Sequence, residues 1–265
     1  MSDFERIPEE LKIVTQWHCW KLSGDTKIPC QVNGSAAKSN DPETWTDFQT
    51  AVDASQFHSG LAFEITEPWT GIDLDDCIDD NGIKAWAMPI LCRLDGIGFA
   101  EVSPSGTGIK ILTRARKPES SRCLAKLDDG SIECYDSKRF WTITGDLYAG
   151  MDKIGDGQEA VNWLIETYLS KEKKPSAPVI SIPAVPRALP ENHLERRAQS
   201  YVDSLPAAGE GERNNCAFKL AGHLFSFAGE HGERLTDFQV SDLLRYWNAR
   251  NSNPLSDEEL MAAGG

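Results

Sequence analysis

The sequence predicts an α+β protein, with a mixed-sheet unit to about residue 170 and a small all-α unit behind it. Three observations carry this. Short stretches of period-two alternation interleave with helical patterns as far as Leu169. A run holding Pro175, Pro178, Pro183, Pro186 and Pro190 then has the composition of an extended, semi-rigid linker. Beyond it the apolar spacing is helical over 191–204, 211–229 and 236–249. The expected organisation is therefore 1–170, a linker at 171–190, and 191–265, with no internal repeat.

Taken in order, Gln16 to Leu22 alternates aromatic and polar residues and reads as a strand; its Trp17 and Trp20 are read as core residues rather than ligand-stacking ones. Lys27-Ile28-Pro29 follows a Gly24-Asp25 turn, and Ala36 to Asp41 is a loop. Asn40-Asp41-Pro42-Glu43-Thr44-Trp45 carries helix-start chemistry, continued by Phe48, Ala51 and Val52 at helical spacing. Gly60–Ile65 is a strand, and Ile83 to Leu94 reads as an amphipathic helix that Pro89 ends or kinks. Phe99–Val102 and Ile109–Leu112 are strands around a Ser/Gly loop, and residues 115–130 form an exposed connection. Ser131–Tyr135 and Phe140–Thr144 are strands joined by Asp136-Ser137-Lys138. Gln158–Leu169 is a helix with Ala160, Val161, Trp163, Leu164 and Tyr168 on one face. The chain stops after a helix start at Leu255–Glu259, as a fragment of a longer protein would.

Composition narrows the function classes. Hydrophobic residues make up 40% of the chain, with Trp 8 and Phe 10, enough for a packed core. A net charge of −14 argues against a broad basic surface for nucleic acid, though not against a local basic groove. The seven cysteines include no C-x-x-C pair, and no signal peptide or membrane-length apolar run is present. The expectation is a cytoplasmic protein with reduced thiols, no structural zinc and no membrane partner.

Three stretches carry chemistry. In Thr70 to Cys77, Ile72 and Leu74 alternate with Asp73 and Asp75, so the two acids share one strand face. Close carboxylates repel when both are ionised. They imply either a hard divalent cation or a solvated acidic edge, and the stretch alone does not separate the two. Asp76, Asp79 and Asp80 belong to the turn that follows. Glu101 to Lys110 is a strand, a loop rich in hydroxyls and small residues (Ser103, Ser105, Gly106, Thr107, Gly108), and a strand with Lys110. Such a loop suits phosphate oxygen, or is an ordinary Gly-rich hairpin. It lacks the order of a Walker loop. Glu133, between Ile132 and Cys134, faces away from the side they bury, as a third metal ligand or an outward acid. Arg139 in the next turn serves the same pocket or the surface.

The order and spacing of these stretches resembles the archaeo-eukaryotic primase superfamily, in particular the primase-polymerases of phages and plasmids. Asp73-Leu74-Asp75 is similar to its acid-x-acid strand, Ser103 through Lys110 to its Ser-x-Ser-Gly-x-Gly-x-His segment, and Ile132-Glu133 leading to Thr144-Gly145 to its hydrophobic-acid strand. Lys27-Ile28-Pro29 and Asp41 to Trp45 look like the lead-in of phage members. The resemblance covers roughly residues 10–170. Gly211-Glu212-Arg213-Asn214-Asn215, Trp247-Asn248 and Asn253 to Leu260 are similar to the helical primase C-terminal domain that follows many such cores.

The resemblance implies an RRM-like half joined to an N-terminal αβ half, and template-dependent nucleotidyl transfer from dNTPs or NTPs to a 3′-hydroxyl. It implies that Asp73, Asp75 and Glu133 hold two ions, Mg²⁺ or Mn²⁺. Ser103, Ser105, Gly106 and Lys110 would cradle the β- and γ-phosphates, with Arg139 on phosphate or template. Single-stranded template and primer DNA would lie in a local groove using Lys126, Lys138 or Arg122, with Trp or Tyr stacking on bases. A helicase domain or protein is a further implied partner, although no helicase motif occurs in this chain. One departure is Lys110 where the family has His: lysine holds a triphosphate as a point charge but is no neutral imidazole near pH 7. Two other readings are a nucleotide-sugar glycosyltransferase, which also uses an acid-x-acid metal site, and a non-catalytic replication module that binds DNA or a helicase.

Overall fold

The computed structural model describes residues 4–80, 82–171, 193–209, 211–227 and 233–264, so the expected linker lies, apart from Lys171, outside the described residues. In chain order the elements are α1 (Glu9–Lys12), β1 (Trp17–Ser23), β2 (Thr26–Cys30), α2 (Phe48–Ser55), β3 (Gly60–Ile65) and β4 (Trp69–Asp75). Then come β5 (Ile78–Asp79), β6 (Gly82–Ile83), α3 (Met88–Leu94), β7 (Phe99–Val102) and β8 (Ile109–Arg114). They are followed by β9 (Leu124–Leu127), β10 (Gly130–Tyr135), β11 (Arg139–Ile143), β12 (Leu147–Asp152) and α4 (Gln158–Leu164). The last elements are α5 (His193–Ser204), α6 (Arg213–Ser226), α7 (Asp237–Asn248) and α8 (Asp257–Gly264). The protein is α+β, with several sheets and helices.

Two units divide the chain: Met1–Cys77 with Gly96–Glu172, and Ile78–Asp95 with Lys173–Gly265. The first holds a four-stranded sheet in the order β11-β3-β1-β2 and a six-stranded sheet in the order β12-β7-β8-β4-β10-β9. Every described pairing in them is antiparallel. The expectation of a mixed sheet is corrected here. Neighbours such as β1–β2 and β9–β10 are joined by short turns, which need no crossover helix. The only parallel element among the described residues is an isolated bridge between Arg114 and Asp156.

Alternation in the strands builds the core. Trp17, Leu61, Phe63, Ile65, Trp141 and Ile143 of the smaller sheet pack with Trp69, Phe99 and Leu112 of the larger one, and Leu11 and Ala51 join from α1 and α2. Trp17 meets Phe48 and Phe63 edge-on at 4.9 and 5.0 Å. The opposite face of the larger sheet is apolar as well: Ile72, Leu74, Ile109, Ile111, Ile132 and Cys134 are fully buried. Gly157, which precedes α4, lies so close to Thr113 of that face that a Cβ would come within 2.2 Å of its hydroxyl.

Several local expectations change. The start signal at Asn40–Trp45 makes only a 3₁₀ turn over Pro42–Thr44, and α2 begins at Phe48, where Asp47 accepts from Thr50 N at 2.9 Å. The helix expected from Ile83 to Leu94 divides: Ile83 belongs to the β5–β6 hairpin, and only Met88–Leu94 is helical. Pro89 sits in its first turn, where its missing N–H has no intrahelical partner to lose, so it starts the helix. Residues 115–130 are not wholly a connection, since β9 lies within them. The last turn of the helix after α4 widens to π geometry over Ile165–Leu169.

In the second unit α6 packs with α7, α8 and α3, and α5 with α7. Thr236 and Gln239 form a reciprocal capping box at the start of α7. The inserted segment belongs to this unit by direct contact: Lys219 pairs with Asp95 at 3.2 Å, and Arg93 with Glu212.

Candidate functional site

The residues singled out from sequence meet at one end of the six-stranded sheet, with Arg139 reaching them from β11 of the four-stranded one. Register places Lys110 of β8 opposite Asp73 of β4, and Asp73 in turn opposite Glu133 of β10. Glu101 of β7 is opposite Lys110 on its other side. Residues directly opposite in antiparallel strands share a face. Glu101, Lys110, Asp73 and Glu133 therefore form a charged row across four strands. One row inward, Phe99, Leu112, Gly71 and Tyr135 line up on the same face, which is apolar there and packs into the core. One row outward stands Asp75, opposite Ser131, which is opposite Lys126 of β9. The face thus changes from core to charge within one strand step.

The row is internally neutralised. Lys110 Nζ donates to Asp73 Oδ2, and Arg139 Nη2 donates to Glu133 Oε2 at 2.9 Å. Both cations also lie over aromatic rings, Lys110 at 4.2 Å from the Trp141 centroid and Arg139 at 4.7 Å from that of Tyr135. Asp75 is left exposed, and its carboxyl is raised above the usual range by partial burial first, then by the charges of Asp73 and Asp76. Lys27, on β2, is lowered by burial and by Lys110, while Asp73 and Asp75 oppose that shift, so its ammonium belongs to the same electrostatic environment.

The Ser/Gly loop lies at the same end. Gly108 abuts β4 so closely that a Cβ would stand 2.9 Å from Leu74 O. Ser103 Oγ accepts from Gly108 N at 3.1 Å and is 2.9 Å from Ser105 Oγ, which is 3.1 Å from Thr107 Oγ1. Thr107 Oγ1 donates to Asp76 Oδ1 at 3.2 Å, tying the loop to the end of the acidic strand. Gly106 has φ +78 with open space around it, a conformation that favours glycine and exposes backbone. Asp73, Lys110 and Glu133 are therefore in contact or adjacent, Arg139 covers Glu133, and Asp75 with Ser103, Ser105 and Gly106 flanks them.

The donor chemistry suits a hard divalent cation, being all carboxylate oxygen, with Asp75 short of counter-charge. Among the described residues, however, no group of three or more His, Cys, Asp or Glu side chains is arranged to hold a metal ion. Asp73 and Glu133 turn to Lys110 and Arg139 instead.

Two residues of this neighbourhood escaped sequence reading as site residues. From sequence, Lys27 reads only as part of a lead-in. Glu101 lay in a strand of apolar residues, and the only signal was an acid on the face that Lys110 shares.

Residues 202–262 match the family model for the primase C terminal 1 (PriCT-1) domain. The chain is also 38% identical over 147 residues to a protein of Nitratiruptor phage NrS-1 named DNA Primase-polymerase, a match covering 52% of this chain and 20% of the relative. It thus spans about one fifth of that relative's length. Both matches are to primase proteins, one over the C-terminal helical segment and one over about half of this chain.

Proposed function

We propose that this chain performs template-dependent nucleotidyl transfer from dNTPs or NTPs to a primer 3′-hydroxyl in phage or plasmid replication. In this reading the first unit is the catalytic core and the second its helical primase C-terminal-like domain. The observation that carries it is the charged row Lys110–Asp73–Glu133, with Asp75 and a hydroxyl-lined loop at the same sheet end. Two carboxylates facing a lysine beside a phosphate-sized loop suit a triphosphate and its counter-ions better than any neutral ligand. The two antiparallel sheets would be the N-terminal αβ half and the RRM-like half.

Asp73, Asp75 and Glu133 would hold divalent ions, Mg²⁺ or Mn²⁺. When bound, such ions neutralise triphosphate charge and lower the pKa of the attacking hydroxyl. Lys110 would exchange its bond to Asp73 for one to the β- or γ-phosphate, freeing that carboxylate as a ligand. Ser103 and Ser105 would donate to the same phosphates around the tight turn at Gly106, whose own N–H donates to Ser103 O at 2.9 Å, and Arg139 would leave Glu133 for phosphate or template. The primer 3′-hydroxyl would lose its proton to solvent as its oxygen bonds to the α-phosphorus and the bond to pyrophosphate breaks. Lys126 shares the face of Asp75 and would meet template backbone. Single-stranded DNA is the proposed partner, a helicase domain or protein a further one, and the host cytoplasm the proposed location. Among the described residues no helix is long and apolar enough to cross a membrane.

The test is extension of a labelled primer on single-stranded template with Mg²⁺ or Mn²⁺, for the native protein, Asp73→Asn and Asp75→Asn. Extension should fall by about 10²–10³-fold in each variant, comparable to removal of other preorganised charge stabilisers. Retained extension with folded variants refutes the assignment.

A further inference from the structure

We infer that Glu101 is a positioning residue for this site, its carboxylate clamping the end of β11 to β7 so that Trp141 and Arg139 are held over Lys110 and Glu133. The inference rests on the proposed nucleotidyl-transfer reading and adds a role that the motifs do not assign.

The clamp is bidentate. Thr144 N donates to Glu101 Oε2 at 3.0 Å and Gly145 N to Oε1 at 2.9 Å. Around it, Thr144 Oγ1 donates to Val102 O at 2.9 Å and Val102 N to Asp146 O at 2.8 Å. β11 belongs to the four-stranded sheet and β7 to the six-stranded one, so this buckle joins the two sheets beside the charged row. Trp141 and Arg139 lie three and five residues before Thr144 on that same strand. Their contacts with Lys110 and Glu133 therefore depend on where the strand end is tied down.

Glu101 is 2% exposed. An acid so placed is expensive to bury unless it is paired and hydrogen-bonded. Only a carboxylate offers an acceptor to each of two adjacent amides; a Gln presents one acceptor and one donor. The charges facing Glu101 are Lys110, opposite on β8, and Asp146 in the turn, while Leu147, opposite on β12, carries none. Burial first, then Asp146, pushes its carboxyl up to about 7, against the pull of the two amides and Lys110. The charged form, which accepts both amides, is therefore complete only above about pH 7. Because the folded value lies above the ordinary one, this acid's contribution to stability is full at low pH and is lost as pH rises through 7.

The test compares native protein with Glu101→Gln, and with Glu101→Asp as a charged but shorter second variant. Steady-state primer extension should show nucleotide KM raised on the order of tenfold in both, with kcat changed much less, the mark of misplaced binding groups. Above pH 7 the Gln variant should melt no lower than native protein, and the pH dependence of its KM near 7 should flatten. Independently of activity, amide hydrogen exchange in the segment 139–146 should quicken in Glu101→Gln and stay unchanged in β1 and β3. Unaltered exchange with unaltered KM overturns the inference, as does a general loss of stability with kcat and KM changing together. If the native protein extends no primer, the nucleotidyl-transfer reading fails, while the exchange result still judges the clamp.

Discussion

Gly71 offers the most direct test of how the two sheets meet beside the site. It lies in β4, two residues before Asp73, and a Cβ there would stand 2.4 Å from Ile65 Cδ1 and 2.9 and 3.0 Å from two atoms of the Trp141 indole. Ile65 can swing its terminal methyl away. Trp141 is rigid and carries Lys110 against its ring at 4.2 Å, so the indole must shift by several tenths of an ångström. Overpacking of this kind costs about 1–3 kcal/mol. The backbone at Gly71 is not left-handed, so Ala adopts it and recovers about 0.5–1 kcal/mol of chain entropy. The net loss in Gly71→Ala should be about 1–2 kcal/mol. For a unit of this size that lowers the melting temperature by about 2–8 °C, read by differential scanning calorimetry. Nucleotide KM should rise at the same time, because Trp141 moves Lys110. A variant that melts at or above the native temperature, with unchanged KM, refutes the close approach of β4 and β11 at Gly71. Gly222→Ala is the matching control: it is exposed on α6 with nothing within 4 Å, and should gain about 0.5–1 kcal/mol.

Thr236→Ala removes the capping box of α7 and should cost about 1 kcal/mol, seen as an earlier loss of helical circular dichroism in the second unit. His223 is buried against Tyr201 and Phe227 with Gly82 beside its ring, and burial pushes it down to about 4 against the opposing charge of Asp79. Its folded value lies below its ordinary 6.5, so the unfolded chain takes up the proton first and stability falls as pH drops from about 6.5 towards 4. The loss is on the order of 3 kcal/mol. Denaturation at several pH values should show it in native protein and not in His223→Gln, a comparison in which the opposite trend of Glu101 cancels. Lys110→Ala should weaken nucleotide binding at least ~10-fold by titration calorimetry, while Lys110→His should retain most of it near pH 6, where imidazole still carries charge.

Much of the site was legible because its strands obey period two. Asp73 and Asp75 on one face, Ile72 and Leu74 on the other, needed only the alternation, and the burial follows it. Trp17 and Trp20 are both buried, though three positions apart on β1 they lie on opposite faces, so alternation alone accounts for only one of them. What alternation cannot supply is register. That Asp73 stands between Lys110 and Glu133 depends on how β8 and β10 slide along β4, which no local pattern states. The same gap hid Glu101, whose importance comes from a turn 43 and 44 residues away. Helix signals failed where tertiary bonds outbid them. At Asn40–Trp45, Trp45 Nε1 donates to Lys38 O at 2.9 Å and Thr44 Oγ1 to Asp41 O at 2.7 Å, holding the stretch in a tight turn. At Ile83 the apolar spacing was right for a helix, yet that residue pairs with Ile78 in a hairpin.

The segment 78–95 makes the second unit discontinuous in sequence, with consequences for anyone who would dissect the protein. Met88, Ile90, Leu91 and Leu94 are buried there, and α3 contacts α6, more than a hundred residues downstream. A truncation ending near residue 170 would strip these side chains of their partners and leave an adhesive flank directly after the Asp73–Asp75 strand. The complementary fragment from residue 191 onward would lack a piece of its own interior. Neither half is a faithful miniature, and the two expressed together should reassociate through α3.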